Sequence, residues 1–234
     1  MKETTTAVLL AAGAGTRLGR GPKALLPFHG RPLIEHQVRV LRDGGCDSVL
    51  AVLGAGSADV LAAARLQDAV TVLNPDWQDG LGTSYRCGVA AALDRSPGAV
   101  LVALVDQPGV TRAIVARLLA AAAPGRITAA GYRDGKSGNL RRGHPVVFDA
   151  PLAARSLAAP GDGGTPGGDT AGSGTPDGGT SGSDTPAGAT GNKTADAGAR
   201  AFLAANPELV DVIDCSDSGH GGDIDTEADL VLLD

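Results

Sequence analysis

The sequence predicts an α/β fold, with helices packed closely on a mostly parallel, Rossmann-like sheet. Two observations carry this. Short unbroken apolar segments alternate with amphipathic ones along the chain, the sign of right-handed βαβ units whose strands are buried on both faces. The apolar residues are mainly Ala, Val and Leu, and aromatics make up only 3% of the chain, so helices can approach a sheet closely. With 234 residues the chain can fill one core, read as a single domain over 1–234 with one interruption.

The first strand, AVLLA at 7–11, runs into LAAGAGTRLGRGPK at 10–23. Gly13, Gly15, Gly19 and Gly21 let this loop bend back on itself, and its amide N–H groups can converge on an anion. Arg17 adds a planar fork of donors and Lys23 a mobile point charge. A triphosphate suits that set. Gly13, Gly15 and Gly19 are spaced G-x-G-x-x-x-G, one residue too long for the dinucleotide fingerprint. The phosphate-loop pattern fails too, because Pro22 parts Gly21 from Lys23 and no Ser or Thr follows the lysine. A net charge of −6 argues against nucleic acid or an anionic membrane as main partner, but not against an anionic small molecule at a locally basic site.

Pro32 opens a helix with Ile34, Val38 and Leu41 on one face, closed by Gly44 and Gly45. A second strand spans 48–53, Ser57 caps a helix to Leu66, and a third strand spans 70–73. NPDWQDGLGTS at 74–84 is a turn-rich loop leading to a helix from Thr83 or Ser84. Its place after a strand makes it a second candidate for the site, although Thr83 or Ser84 also reads as a plain N-cap and Trp77 as a cover on the sheet edge. The most apolar strand, 99–105, is central and ends in Asp106-Gln107-Pro108. A carboxylate there points into the crevice where such sheets bind ligands. Buried, it needs a partner such as magnesium; as a residue capping the next turn, it needs none.

A helix starts at Thr111, and strands at 126–132 and 144–148 flank a turn bearing Arg133, Lys136, Arg141 and Arg142. Those cations suit a solvated hairpin and an anion equally. His144, a lone histidine beside a strand, reads as structural before catalytic. Residues 158–195 are dominated by Gly, Thr, Ser, Asp and Pro, which cannot bury enough to fold, so they read as a disordered insertion in a surface loop. A helix at 199–206, a strand at 209–213 and a closing helix to Leu233 complete the chain. Asp225, at a turn before that last helix, is by itself ordinary helix-start chemistry. Cys46, Cys87 and Cys215 form no C-x-x-C pair, and no apolar run is long enough for a signal peptide or a membrane span. Reduced thiols and a cytoplasmic location are expected.

Four motifs in order carry a resemblance: L-A-A-G-x-G-x-R-x-G-x-x-x-K from Leu10 to Lys23, Asp106-Gln107-Pro108, GHPVVF at 143–148, and DIDT at 223–226. Together they resemble the molybdenum cofactor cytidylyltransferase family of MobA-like NTP transferases, over nearly all the chain outside the insertion. The resemblance implies a three-layer nucleotidyltransferase fold. It implies transfer of CMP from CTP to molybdopterin, giving molybdopterin cytosine dinucleotide and pyrophosphate, and a transient contact with the molybdenum hydroxylase that receives the product. Residue by residue, it implies that Leu10, Ala11, Ala12, Gly13, Ala14, Gly15, Arg17 and Lys23 hold the nucleotide, with Gly80 and Ser84 at the base and ribose. The Ala11-Ala12 form goes with cytidine in that family. Asp106 and Asp225 are implied to hold Mg2+, with Asp225 chosen over Asp223 by motif alignment, and Arg17, Lys23, Asp106 and Asp225 to form the catalytic set. Gln107, Pro108 and His144 are implied to line the pterin side. The family's G-D-x-G-A-R link survives as its end at 196–200, with 161–163 competing, so Asp162 and Asp196 both stand as candidates for the substrate-side loop. Two other readings stay open: a nicotine blue-type NAD(P)H oxidoreductase of the same family, against which the missing dinucleotide fingerprint counts, and a non-catalytic nucleotide-binding maturation factor.

Overall fold

The computed structural model describes residues 4–158 and 197–233. Most of the 158–195 insertion, with Asp162 and Asp196, lies outside them. In chain order the elements are β1 (Thr5–Ala11), β2 (Pro27–Phe28), β3 (Arg31–Pro32), α1 (Leu33–Asp43), β4 (Ser48–Leu53), α2 (Ser57–Ala63), β5 (Val70–Leu73), α3 (Leu81–Leu93) and β6 (Ala99–Leu104). They continue as α4 (Arg112–Ala121), β7 (Ile127–Arg133), β8 (Leu140–Asp149), α5 (Ala150–Ala158), α6 (Ala197–Ala205) and β9 (Val210–Asp214), and a 3-10 segment (Glu227–Leu233) closes the described chain.

Seven strands form one sheet in the order β5-β4-β1-β6-β8-β7-β9. All neighbours are parallel except the two pairs made by β8. From β1 the chain moves outward through β4 and β5, then returns to lay β6 on the other side of β1. The order therefore reverses beside β1, and a crevice opens beyond the carboxyl ends of β1 and β6. Every residue of β1 is buried, as its unbroken apolar run requires of a strand covered on both faces. One apolar layer joins Ile34, Val38, Val60, Ile114 and Leu118 of α1, α2 and α4 to one face of the sheet. The other joins Tyr85, Val89, Leu152, Phe202 and Leu203 of α3, α5 and α6 to the opposite face. At Gly88 the α3 helix lies so close to the sheet that a Cβ would fall 2.4 Å from Val8 Cγ1.

A third, smaller cluster matters more for the site. Leu18, Leu26, Phe28, Leu33 and Ile224 are buried together, with Leu230, Leu232 and Leu233 packed on them. It ties the glycine-rich loop to the DIDT turn, distant in sequence.

The observed boundaries depart from the expected ones for identifiable reasons. The α2 helix follows Gly56, which sits at φ 59° in the cap position, so Ser57 is its first residue rather than its cap. It stops at Ala63, short of Leu66. The α3 helix starts at Leu81 because Thr83 Oγ1, 2.8 Å from the carbonyls of both Asp76 and Gly80, donates its one proton to either and closes the preceding turn, instead of capping a helix start. The β8 strand begins at Leu140 rather than His144, since the turn before it is closed by Asp134, whose carboxylate accepts from the backbone of Lys136 and Ser137. Arg133 and Arg141 of this hairpin pair with Asp214 and Asp134, which favours the solvated-hairpin reading for both. Among the described residues, no helix is long and apolar enough to cross a membrane.

Candidate active site

The glycine-rich loop leaves β1 under tight control. Val105 N–H donates to Leu10 O at 3.1 Å and Ala55 N–H to Ala12 O at 3.0 Å, so both neighbouring strands hold its first residues. Leu10, Ala11 and Ala12 are buried and offer backbone, while Gly13 is exposed and Ala14 and Gly15 half-buried. At Gly15 the chain takes φ 64°, and a Cβ would meet Gly21 O at 2.2 Å. Only glycine fits this turn, which folds the loop back and aims Lys23 at the end of β6. The amides of Leu18 and Gly19 both donate to Gly15 O. Those of residues 13–17 donate to no acceptor among the described residues. Such a row of unengaged N–H groups suits a polyanion.

The structure brings the four expected catalytic residues together. Lys23 Nζ donates to Asp106 Oδ2 at 2.8 Å and to Asp225 Oδ1 at 2.6 Å. Arg17 lies 3.5 Å from the other oxygen of Asp225. The two cations differ in freedom: the Lys23 side chain is 14% exposed and that of Arg17 79%. Lys23 is fixed, whereas Arg17 can swing onto a ligand. Burial by itself would depress the Lys23 pKa, but its hydrogen bonds to Asp106 and Asp225 outweigh that and raise it.

Asp225 reaches the site because Ile224 is buried in the third cluster and its N–H donates to Asp106 O at 3.0 Å. Asp229, not Asp225, receives the amides of this turn: its Oδ2 accepts from Asp225 N at 3.1 Å and Thr226 N at 2.7 Å. The Asp225 carboxylate is left to Lys23 and Arg17.

The remaining expected residues sit elsewhere in the wall. Gln107 is buried, its Nε2 donating to Asp223 Oδ1 at 2.6 Å, and Pro108 is buried beside it. The Gln107 side chain thus reaches the DIDT turn, where Asp223 stands beside Asp106 and Asp225. Ser84 is buried and accepts from Asn74 Nδ2 at 2.9 Å, while Gly80, at φ 107°, is half-buried in the turn before α3. His144 is pushed down to about 4, chiefly by burial; Asp106 opposes this and Arg142 and Arg200 reinforce it. Its imidazole is neutral at neutral pH.

Two residues of this site have no role in the sequence reading. Asp223, passed over there for Asp225, stands close enough to Asp106 and Asp225 that burial, and then their charges, raise its pKa against the hydrogen bond from Gln107. Gln37, fully buried on α1, donates through Nε2 to the Gln107 carbonyl at 2.7 Å. A polar residue on the apolar face marked by Ile34, Val38 and Leu41 was the available signal. A surface depression away from these residues lies at the far end of α1, lined by Arg39, Arg42, Cys46, Asp47 and Asp68. There Arg42 is engaged by the Cys46 and Asp47 carbonyls.

A hard divalent cation fits the pair Asp106 and Asp225, whose oxygens already surround one positive charge. Among the described residues no set of three or more His, Cys, Asp or Glu converges on a common point. Such an ion would complete its shell with water and phosphate oxygens, the habit of magnesium.

The MobA-like NTP transferase domain matches residues 7–168. A nicotine blue oxidoreductase from Paenarthrobacter nicotinovorans is 46% identical over 229 residues, covering 97% of this chain and 95% of that protein. Rv0371C of Mycobacterium tuberculosis H37Rv, solved in complex with manganese, superposes with TM-score 0.52 at 28% identity over 67% of this chain and 76% of its own. The 2-C-methyl-D-erythritol 4-phosphate cytidylyltransferase from Thermus thermophilus shares the fold, with TM-score 0.61 at 22% identity over 100% of this chain and 97% of its own. With residues 7–168, more than half of its length, matched by that domain, the chain belongs to the MobA-like NTP transferase family.

Proposed function

We propose that the protein transfers CMP from CTP to the terminal phosphate of molybdopterin, with Mg2+ held by Asp106 and Asp225. The observation that carries this reading is the pair of carboxylates bridged by Lys23, the last residue of a loop whose amides at 13–17 are unengaged among the described residues. An oxygen of the acceptor phosphate bonds to the α-phosphorus of CTP, the bond from that phosphorus to its bridging oxygen breaks, and the electron pair leaves with pyrophosphate. Mg2+ held by Asp106 and Asp225 would supply charge neutralisation and Lewis-acid polarisation of phosphate.

The chain's own residues do the rest. The amides of 13–17 bind the leaving phosphates, and Arg17 closes on them from its exposed position. Lys23 stabilises charge on the transferring and leaving phosphates. No general base is required, because the attacking phosphate monoester is already ionised; positioning and electrostatics supply the rate. Ala11 and Ala12, buried at the root of the loop, support cytidine over guanosine through the family pattern.

The identity to a protein named nicotine blue oxidoreductase, across nearly the whole chain, favours a second reading: hydride transfer from NADH or NADPH to a related pigment. One experiment separates the two. Purified protein is incubated with Mg2+, molybdenum-loaded molybdopterin and either CTP or GTP, and in parallel with NADPH and nicotine blue. Pyrophosphate release and a cytosine dinucleotide with CTP alone are expected. Release with GTP instead overturns the cytidine assignment, and NADPH oxidation without pyrophosphate overturns the transferase.

A further inference from the structure

Lys23 occupies an unusual place for a residue expected to contact phosphate. Its ammonium lies between the two carboxylates, 2.8 Å from one and 2.6 Å from the other, and is largely shielded from water. It therefore stands where positive charge is wanted before any ligand arrives. A bare divalent cation competing for the same oxygens would have to expel the ammonium and leave it buried without a partner, which is costly. A cation arriving on a triphosphate meets no such penalty, because the phosphate oxygens offer the ammonium a new partner.

Resting on the assignment of the metal to Asp106 and Asp225, we propose that Lys23 is the resident counter-ion of this pair and determines what it accepts: metal bound to a nucleotide triphosphate, and not free metal. Arg17 does not share this role. It is highly exposed and 3.5 Å from Asp225, so water can replace it at little cost.

Equilibrium dialysis of the full chain against MnCl2, alone or with CTP, tests this without turnover. The wild type is expected to retain free Mn2+ poorly and to retain it well once CTP is added. Lys23→Met, which removes the resident charge, is expected to bind free Mn2+ about ten-fold more tightly or better. Lys23→Gln, neutral but still able to donate to one carboxylate, should show the same rise if Lys23→Met does not fold, while Lys23→Arg should stay near the wild type. Asp225→Asn should abolish Mn2+ retention in every background. Free Mn2+ affinity unchanged or lowered in both neutral variants, with retention lost in Asp225→Asn, overturns the role of Lys23 alone. Retention that survives Asp225→Asn places the metal elsewhere and overturns the metal assignment and this proposal together.

Discussion

Asp106 links the sheet to the chemistry, because it lies just past the carboxyl end of β6 and shares Lys23 with Asp225. Asp106→Ala is expected to lower Mg2+-dependent nucleotidyl transfer by about a hundred-fold or more. NADPH oxidation, if the protein supports it, should change little, and steady-state assays of both activities check this. His144 gives a second prediction at this scale. Its folded pKa is about 4, below the ordinary 6.5, so the unfolded chain gains a proton first as pH falls. The stability it confers is complete above pH ~6.5 and declines as pH drops to ~4, by about 2–3 kcal/mol at most. Denaturant unfolding of His144→Gln between pH 7 and 4 should show a correspondingly shallower loss than the wild type. An equal slope would mean that His144 does not govern this range.

At the scale of elements, the site depends on contacts that bring a remote turn under the loop. Ile224 fills the third cluster beside Leu18 and donates its amide to Asp106 O. Ile224→Ala should therefore cost about 2–5 kcal/mol in unfolding free energy, and should also reduce kcat, because Asp225 loses its anchor. A stability loss with unchanged kcat would sink this coupling. Gly88 sets how closely α3 lies on the sheet, and Gly88→Val should destabilise by about 1–3 kcal/mol through overpacking, read from the denaturation midpoint.

The strands and most helices were legible because each depends on its own apolar period or on an unbroken apolar run. The loop at 10–23 was legible because its glycines and cations are adjacent in sequence. The partnership of Lys23 with Asp225 was not, since it joins residues far apart that the Leu18 and Ile224 cluster and the Ile224 N–H bond to Asp106 O bring together. The hydrogen bonds that Gln107 makes to Asp223 and that Ser84 receives from Asn74 were not legible either, since each joins residues separated in sequence.

For the whole molecule, the order reversal beside β1 is the organising fact. It places the glycine-rich loop and Asp106 at the carboxyl ends of adjacent strands. The helices α5 and α6 meet on one face of this sheet, where Leu152 and Leu157 of α5 share an apolar cluster with Phe202 and Leu203 of α6. Replacing residues 163–195 with a short Gly/Ser link should then change stability by no more than about 1–2 kcal/mol, because closure entropy varies slowly with loop length. Equilibrium denaturation of the shortened chain measures it, and a larger loss would show that the segment contributes to the fold. Whether this architecture moves a nucleotide or a hydride shows in the fate of the α-phosphorus. With CTP labelled there, Mg2+ and molybdenum-loaded molybdopterin, the wild type should carry the label into a molybdopterin dinucleotide and Asp106→Ala should not. Label that stays in CTP, with protein that oxidises NADPH in the presence of nicotine blue, would contradict nucleotide transfer.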